Sequence, residues 1–137
     1  MPDSKETVIH RYYEELFNRG RVELVDELLA PDYENHSPGS PEQARGRAGV
    51  VGVVRALRLA FPDLRYEIAD QVVGDDAVAV RTLVTGTHLG DFFGLSPTGR
   101  KIRVSQMAFE RFRGERIAAH HRVTDELSLM RQLGAVR

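Results

Sequence analysis

A chain of 137 residues is one domain's worth, long enough to bury roughly two-thirds of its unfolded surface and to hold a pocket within a core. Its net charge is −1, and its 19 Lys and Arg are scattered among 20 Asp and Glu, so it lacks the basic stripe of a nucleic-acid binder. The absence of cysteine excludes disulfides, iron–sulfur clusters and thiolate zinc sites, and no run approaches the ~20 apolar residues that span a bilayer.

Val8, Ile9, Tyr12, Tyr13, Leu16 and Phe17 recur at helical spacing and predict a first helix, capped by Asp3 or Ser4 and ended by Gly20. The polar start, Met1 to Glu6, has no apolar run of the signal-peptide kind, and a cytoplasmic protein is expected. Val22, Val25, Leu28 and Leu29 share a face of a short second helix, which Pro31 stops. Residues 32–36 form a short strand or an extended turn. Residues 37–46, with two prolines and two glycines, form a loop. A third helix covers 47–61: Val50, Val51, Val54, Leu57 and Phe61 share a face, and Pro62 ends the run. The β-branched valines favour a strand there, but the period favours a helix.

Beyond Pro62 the period becomes two. Leu64, Tyr66 and Ile68 alternate with charged or small residues, and Gly74-Asp75-Asp76 reads as a hairpin turn. Further strands are predicted over 77–87, 101–112 and 115–124, the last two joined at Arg113-Gly114. Residues 125–134 return to helical spacing and end at Gly134. Helices followed by antiparallel strands indicate α+β rather than a parallel βαβ sheet. A curved sheet of four to six strands wrapped on three helices leaves space for a pocket between the layers.

Several polar residues stand out in this frame. Asp125 lies where the last strand gives way to the final helix, the position of an N-cap. His88 closes a strand at the mouth of the Gly90–Gly99 loop, where it either meets a ligand or holds that loop. His120 and His121 are neighbours on one strand, so they face opposite sides. His121 shares parity with Asp125, and either lines the pocket or sits at the surface. Asn35 and His36 follow the first helical pair, where they suit the turn before Pro38 or offer an amide or imidazole that bonds a carbonyl. Gln106 shares a side with Val104 and Ala108, as a positioned donor or a solvated residue. Arg81 lies between apolar neighbours, where an ion pair is expected. Tyr12, Tyr13, Phe17, Leu57 and Phe61 supply an apolar wall. The histidines form no His-x-x-x-His or Glu-x-x-His cluster on a helix, so no metal is expected.

The segment Gly86-Thr87-His88-Leu89-Gly90-Asp91-Phe92-Phe93-Gly94-Leu95-Ser96-Pro97-Thr98-Gly99 resembles the hairpin of SnoaL-like polyketide cyclases, within the NTF2-like superfamily. Three other stretches agree: Tyr33-Glu34-Asn35-His36-Ser37-Pro38, Phe61-Pro62-Asp63-Leu64, and Gly114-Glu115-Arg116-Ile117 followed by Asp125 and Gln132-Leu133-Gly134. The resemblance covers residues 1–137 as a single domain. It implies an NTF2-like cone: three N-terminal helices on a curved, mostly antiparallel sheet, with a short C-terminal helix. It implies a cofactor-independent enzyme that closes a ring by intramolecular aldol chemistry, or a related proton-transfer isomerisation, on an apolar polyketide-like molecule. By the same resemblance, Asp125 aligns with the general acid/base. Burial of that carboxyl in an apolar cavity would raise its pKa towards the working pH. The departure from the family pattern is Ala119 and His121, where a Glu and a Trp are usual.

The expected constellation is therefore Asp125, His121 and His88 as catalytic groups. Asn35, His36, Gln106, Tyr13, Phe17, Leu57 and Phe61 are expected against the substrate. Hydrolysis or dehydration of a small apolar substrate, or ligand binding without turnover, are the alternatives. The outer sheet face, with Arg103, Ser105, Met107 and Phe109, is expected to pair two copies into a homodimer or a higher homo-oligomer. No membrane or nucleic-acid partner is expected.

Overall fold

The computed structural model describes residues 4–137. Helix α1, Lys5–Arg11, starts at Ser4, whose side chain accepts from the Thr7 N–H at 3.1 Å. The other proposed cap, Asp3, lies outside the described residues. The helix does not stop at Arg11. It widens into a π-helical turn over Tyr12–Phe17, where the Asn18 N–H reaches back to the Tyr13 carbonyl. The wider turn places Tyr12, Tyr13, Leu16 and Phe17 in the interior together. Gly20, with φ +69°, ends the run.

A short 3₁₀ turn, Val22–Leu24, leads into α2, Val25–Leu28. The chain then becomes strand β1, Leu29–Asn35. The helix therefore stops before Pro31, and the strand is longer than the expected 32–36. Pro31 is tolerated because β1 is an edge strand. Helix α3 spans Arg47–Ala60 and buries Val50 and Val54, so periodicity prevails over the β-preference of its valines.

Strands β2, Arg65–Val73, β3, Ala77–Thr87, β4, Lys101–Arg113, and β5, Arg116–Thr124, complete one sheet of order β1-β5-β4-β3-β2. All neighbours pair antiparallel except β1 with β5, which is parallel. Helix α4, Glu126–Gln132, closes the chain, and Gly134 takes φ +77° beyond it. Burial along β4 alternates without a break from Lys101 to Arg113, so its even-numbered residues face the helices. The core lies between that concave face, α1 with its π-turn, and α3. This is the expected α+β cone.

Register fixes what faces the interior, row by row. Thr82, Gln106 and Thr124 stand opposite one another across β3, β4 and β5. Val80, Ala108 and Arg122 form the next row. Val78, Glu110 and His120 follow, with Asn35 of β1 beyond His120. An apolar sheet face thus carries a polar corner on its β4–β5–β1 side.

Candidate active site

A cavity of about 430 Å³ opens between the sheet and the helices. Tyr13, Phe17, Leu57 and Phe61 line it as expected, joined by Val50, Val84 and Val104. Its polar lining includes Asn35, Gln106, His120, Arg122 and Thr124, with Glu126 at the start of α4 and Ser40 and Gln43 from the loop before α3. One wall is apolar and the opposite corner can hydrogen-bond, the lining that holds an apolar molecule oriented by a few polar groups.

Two buried ionisable groups form the centre of that corner. Glu110 on β4 and His120 on β5 face each other across the sheet, fully and almost fully buried. Glu110 Oε1 is hydrogen-bonded to His120 Nδ1. The other imidazole nitrogen, Nε2, lies 3.4 Å from Arg122 Nη1. A guanidinium can only donate, so Nε2 carries the lone pair and Nδ1–H points at the carboxylate. The Nε2 lone pair is thus directed at the Arg122 guanidinium at the edge of the cavity, and the carboxylate behind the ring fixes the imidazole in that tautomer. Arg122 is itself fixed, because its Nη2 donates to the Ser37 carbonyl at 2.6 Å and its backbone N–H to Ser37 Oγ at 2.8 Å.

Gln106 accepts from Thr124 Oγ1 at 3.0 Å through Oε1, which leaves its amide NH₂ to donate. Asn35 Oδ1 accepts from the Ser37 N–H at 2.8 Å, so Asn35 both makes the turn and lines the cavity. The tyrosines around the centre have raised pKa values. Burial pushes Tyr12, Tyr13 and Tyr33 well above the ordinary phenol range, and Glu110 adds to the effect on each. Burial pushes Tyr66 up to about 12, with Arg122 pulling the other way.

Several expected site residues lie elsewhere. Asp125 is exposed and outside the cavity. It is the N-cap of α4, with Oδ1 accepting from the Ser128 N–H at 3.1 Å. Its burial in a dry hollow is thereby corrected, and the reason is parity: His120, Arg122 and Thr124 point inward, so His121, Val123 and Asp125 point out. His121 is exposed and stacks on the exposed His36, with ring centroids 4.5 Å apart, so neither touches the cavity. His88 is completely buried but does not line the cavity. Its Nδ1 accepts from the Thr98 N–H at 3.2 Å and its backbone pairs with Arg100 and Gly99, so it holds the loop. Arg81 is exposed on the outer face and needs no buried partner.

The centre that the structure brings together, Glu110, His120 and Arg122, was absent from the expected set. The signal for it was in the alternation. In the column Ile102, Val104, Gln106, Ala108, Glu110, Phe112, a carboxylate occupies an apolar parity, as His120 does on β5.

The model of the SnoaL-like polyketide cyclase family matches residues 7–133. The nogalonic acid methyl ester cyclase of Streptomyces nogalater is 31% identical over 121 residues, which cover 86% of this chain and 89% of that one. Among solved structures, IdmH of Streptomyces antibioticus superposes with a TM-score of 0.84 at 34% identity, covering 96% of this chain and 99% of that chain. TsrD of Streptomyces laurentii gives 0.87 at 26% identity, covering 96% and 95%. A motif match spanning nearly the whole chain, and relatives of the same length and shape, agree with the greasy, one-sided cavity: the chain belongs to the SnoaL-like polyketide cyclase family.

Proposed function

We propose that this protein closes a ring in a polyketide-like substrate by intramolecular aldol chemistry, with no cofactor, and that His120 rather than Asp125 moves the proton. The observation that carries this reading is the Glu110–His120 pair at the polar corner of the cavity, with imidazole Nε2 beside Arg122. His120 Nε2 takes a proton from the carbon next to a substrate carbonyl. The enolate carbon attacks a second carbonyl in the same molecule and forms the new carbon–carbon bond. The attacked oxygen becomes an alkoxide and receives the proton back from the imidazolium. Atoms and electrons balance without an oxidant, so the net change is an isomerisation.

Glu110 keeps the ring in one tautomer and stabilises the imidazolium, and Arg122 offsets the charge that develops on oxygen. Gln106 and Asn35 hold the oxygens along the edge of the substrate. Nogalonic acid methyl ester, the substrate named for the Streptomyces nogalater relative, is the first compound to test. His120→Asn should lower kcat by at least about a hundredfold, the low end of a lost general base. Asp125→Asn should leave it unchanged. The reverse pattern sinks the assignment.

The outer sheet face supports a homodimer. Met107, Phe109 and Val123 lie on neighbouring strands with 59%, 40% and 76% of their surfaces exposed. Adjacent apolar side chains left open in this way mark a contact surface. Sedimentation of the protein at micromolar concentration is expected to give twice the chain mass, and a single-chain mass would refute pairing.

A further inference from the structure

We propose that the Tyr33 hydroxyl is a catalytic hydrogen-bond donor, acting with Arg122 on the substrate oxygen that becomes negative during ring closure. The proposal rests on the proton-transfer reading above and adds a residue that the reading does not use. All four tyrosines of the chain, Tyr12, Tyr13, Tyr33 and Tyr66, line the one cavity. No hydroxyl among them has a hydrogen-bond partner among the described residues. Buried hydroxyls are ordinarily paired, because an unmet donor in a low-dielectric place is costly. Tyr13 Oη is such an unpaired buried donor, and with three more phenols beside it the wall suits a ligand with acceptor oxygens.

The four are not equivalent. Tyr13 Oη is shut off from any solvent space, so a ligand does not reach it without a rearrangement, whereas the Tyr33 hydroxyl is not closed off in this way. Position singles out Tyr33 further. Asn35 stands opposite His120 in the β1–β5 pairing, and Tyr33 precedes it by two residues on the same face of β1. Tyr33 also lies in the fields of both Glu110 and Arg122, the two charges that flank His120. Burial and Glu110 keep its phenol protonated far above neutral pH, so it remains a donor throughout the working range. A neutral O–H and a guanidinium at one corner make the pair of fixed donors that an oxyanion needs.

Tyr33→Phe removes the oxygen and keeps the ring. With nogalonic acid methyl ester as substrate, kcat is expected to fall by about a hundredfold to a thousandfold, the range for one oxyanion donor, with KM changed by less than about threefold. The thermal midpoint should stay the same, since the hydroxyl opens to the cavity and has no partner inside the protein. A kcat within about threefold of wild type overturns the proposal. A lowered midpoint overturns it too, because the hydroxyl would then have a partner inside the protein.

A second comparison needs no turnover. Anthraquinone-2-sulfonate and anthracene-2-sulfonate share a ring system and a charge, and differ in two carbonyl oxygens. Tyr33→Phe should weaken binding of the quinone about tenfold, the worth of one hydrogen bond, and leave the anthracene unchanged. Equal losses for both, or none for either, overturn the donor role, and failure of both compounds to bind overturns the ring-accepting cavity along with it. The two readings fail separately. If His120→Asn keeps full turnover while the quinone difference persists, the base is wrong and the donor stands. If His120→Asn abolishes turnover without a quinone difference, the base stands and the donor falls.

Discussion

Alkaline titration tests whether the tyrosine wall is as dry as the structure has it. Burial pushes Tyr66 up to about 12 from 10.0, and the other three tyrosines move in the same direction. A phenol whose folded value exceeds its unfolded value stabilises the fold fully below the unfolded value and loses that contribution as pH rises towards the folded one. For Tyr66 the window is thus pH 10 to 12. The difference is worth on the order of 3 kcal/mol, at 1.36 kcal/mol per pH unit. Against a total stability on the order of 5–15 kcal/mol, that is a substantial fraction from one residue, and the other three tyrosines act in the same direction. Tyrosinate absorbance and far-ultraviolet circular dichroism, recorded together as pH rises, should therefore change in a single step above pH 10. In Tyr66→Phe the step should move to higher pH. Tyrosinate appearing near pH 10 with the circular dichroism intact would mean that water reaches the phenols freely, and the description of the cavity wall would be wrong.

Two further substitutions separate structural from chemical roles. Asp125→Ala removes the α4 cap and should cost about 1 kcal/mol in urea unfolding with turnover unaltered, whereas Asp125→Ser should recover most of that stability. Gly90→Ala would put a Cβ 2.1 Å from the Leu59 carbonyl oxygen at the root of the special loop. The backbone must shift to admit it, and the chevron or urea midpoint should report a loss of about 1–3 kcal/mol. An unchanged midpoint would mean that the loop does not pack on the end of α3.

Much of the fold was legible because it rests on local rules. The period-two alternation from Leu64 onward gave the strands. Ser4, Gly20 and Gly134 marked helix ends by capping chemistry and positive φ. What misled was tertiary context. Pro31 reads as a helix stop, yet it sits inside a strand, because an edge position forgives its missing N–H. The π-turn at Tyr12–Phe17 leaves no signature in an apolar stripe.

At the site, the apolar wall was readable from the helical faces, and Gln106 and Asn35 from their neighbours. The polar corner was not. The family resemblance drew attention to Asp125, while strand parity, applied one residue at a time from His120, turns that side chain outward. Glu110 looked like one more charge in Phe109-Glu110-Arg111. Only the register of β4 on β5 sets it opposite His120.

The most direct test of the central claim follows the proton rather than the product. Incubated in heavy water with nogalonic acid methyl ester, the wild-type protein should exchange deuterium into the carbon beside the reacting carbonyl. Asp125→Asn should do the same, and His120→Asn should not. Exchange that survives in His120→Asn, or vanishes in Asp125→Asn, would contradict the assignment of the base to the Glu110–His120 pair.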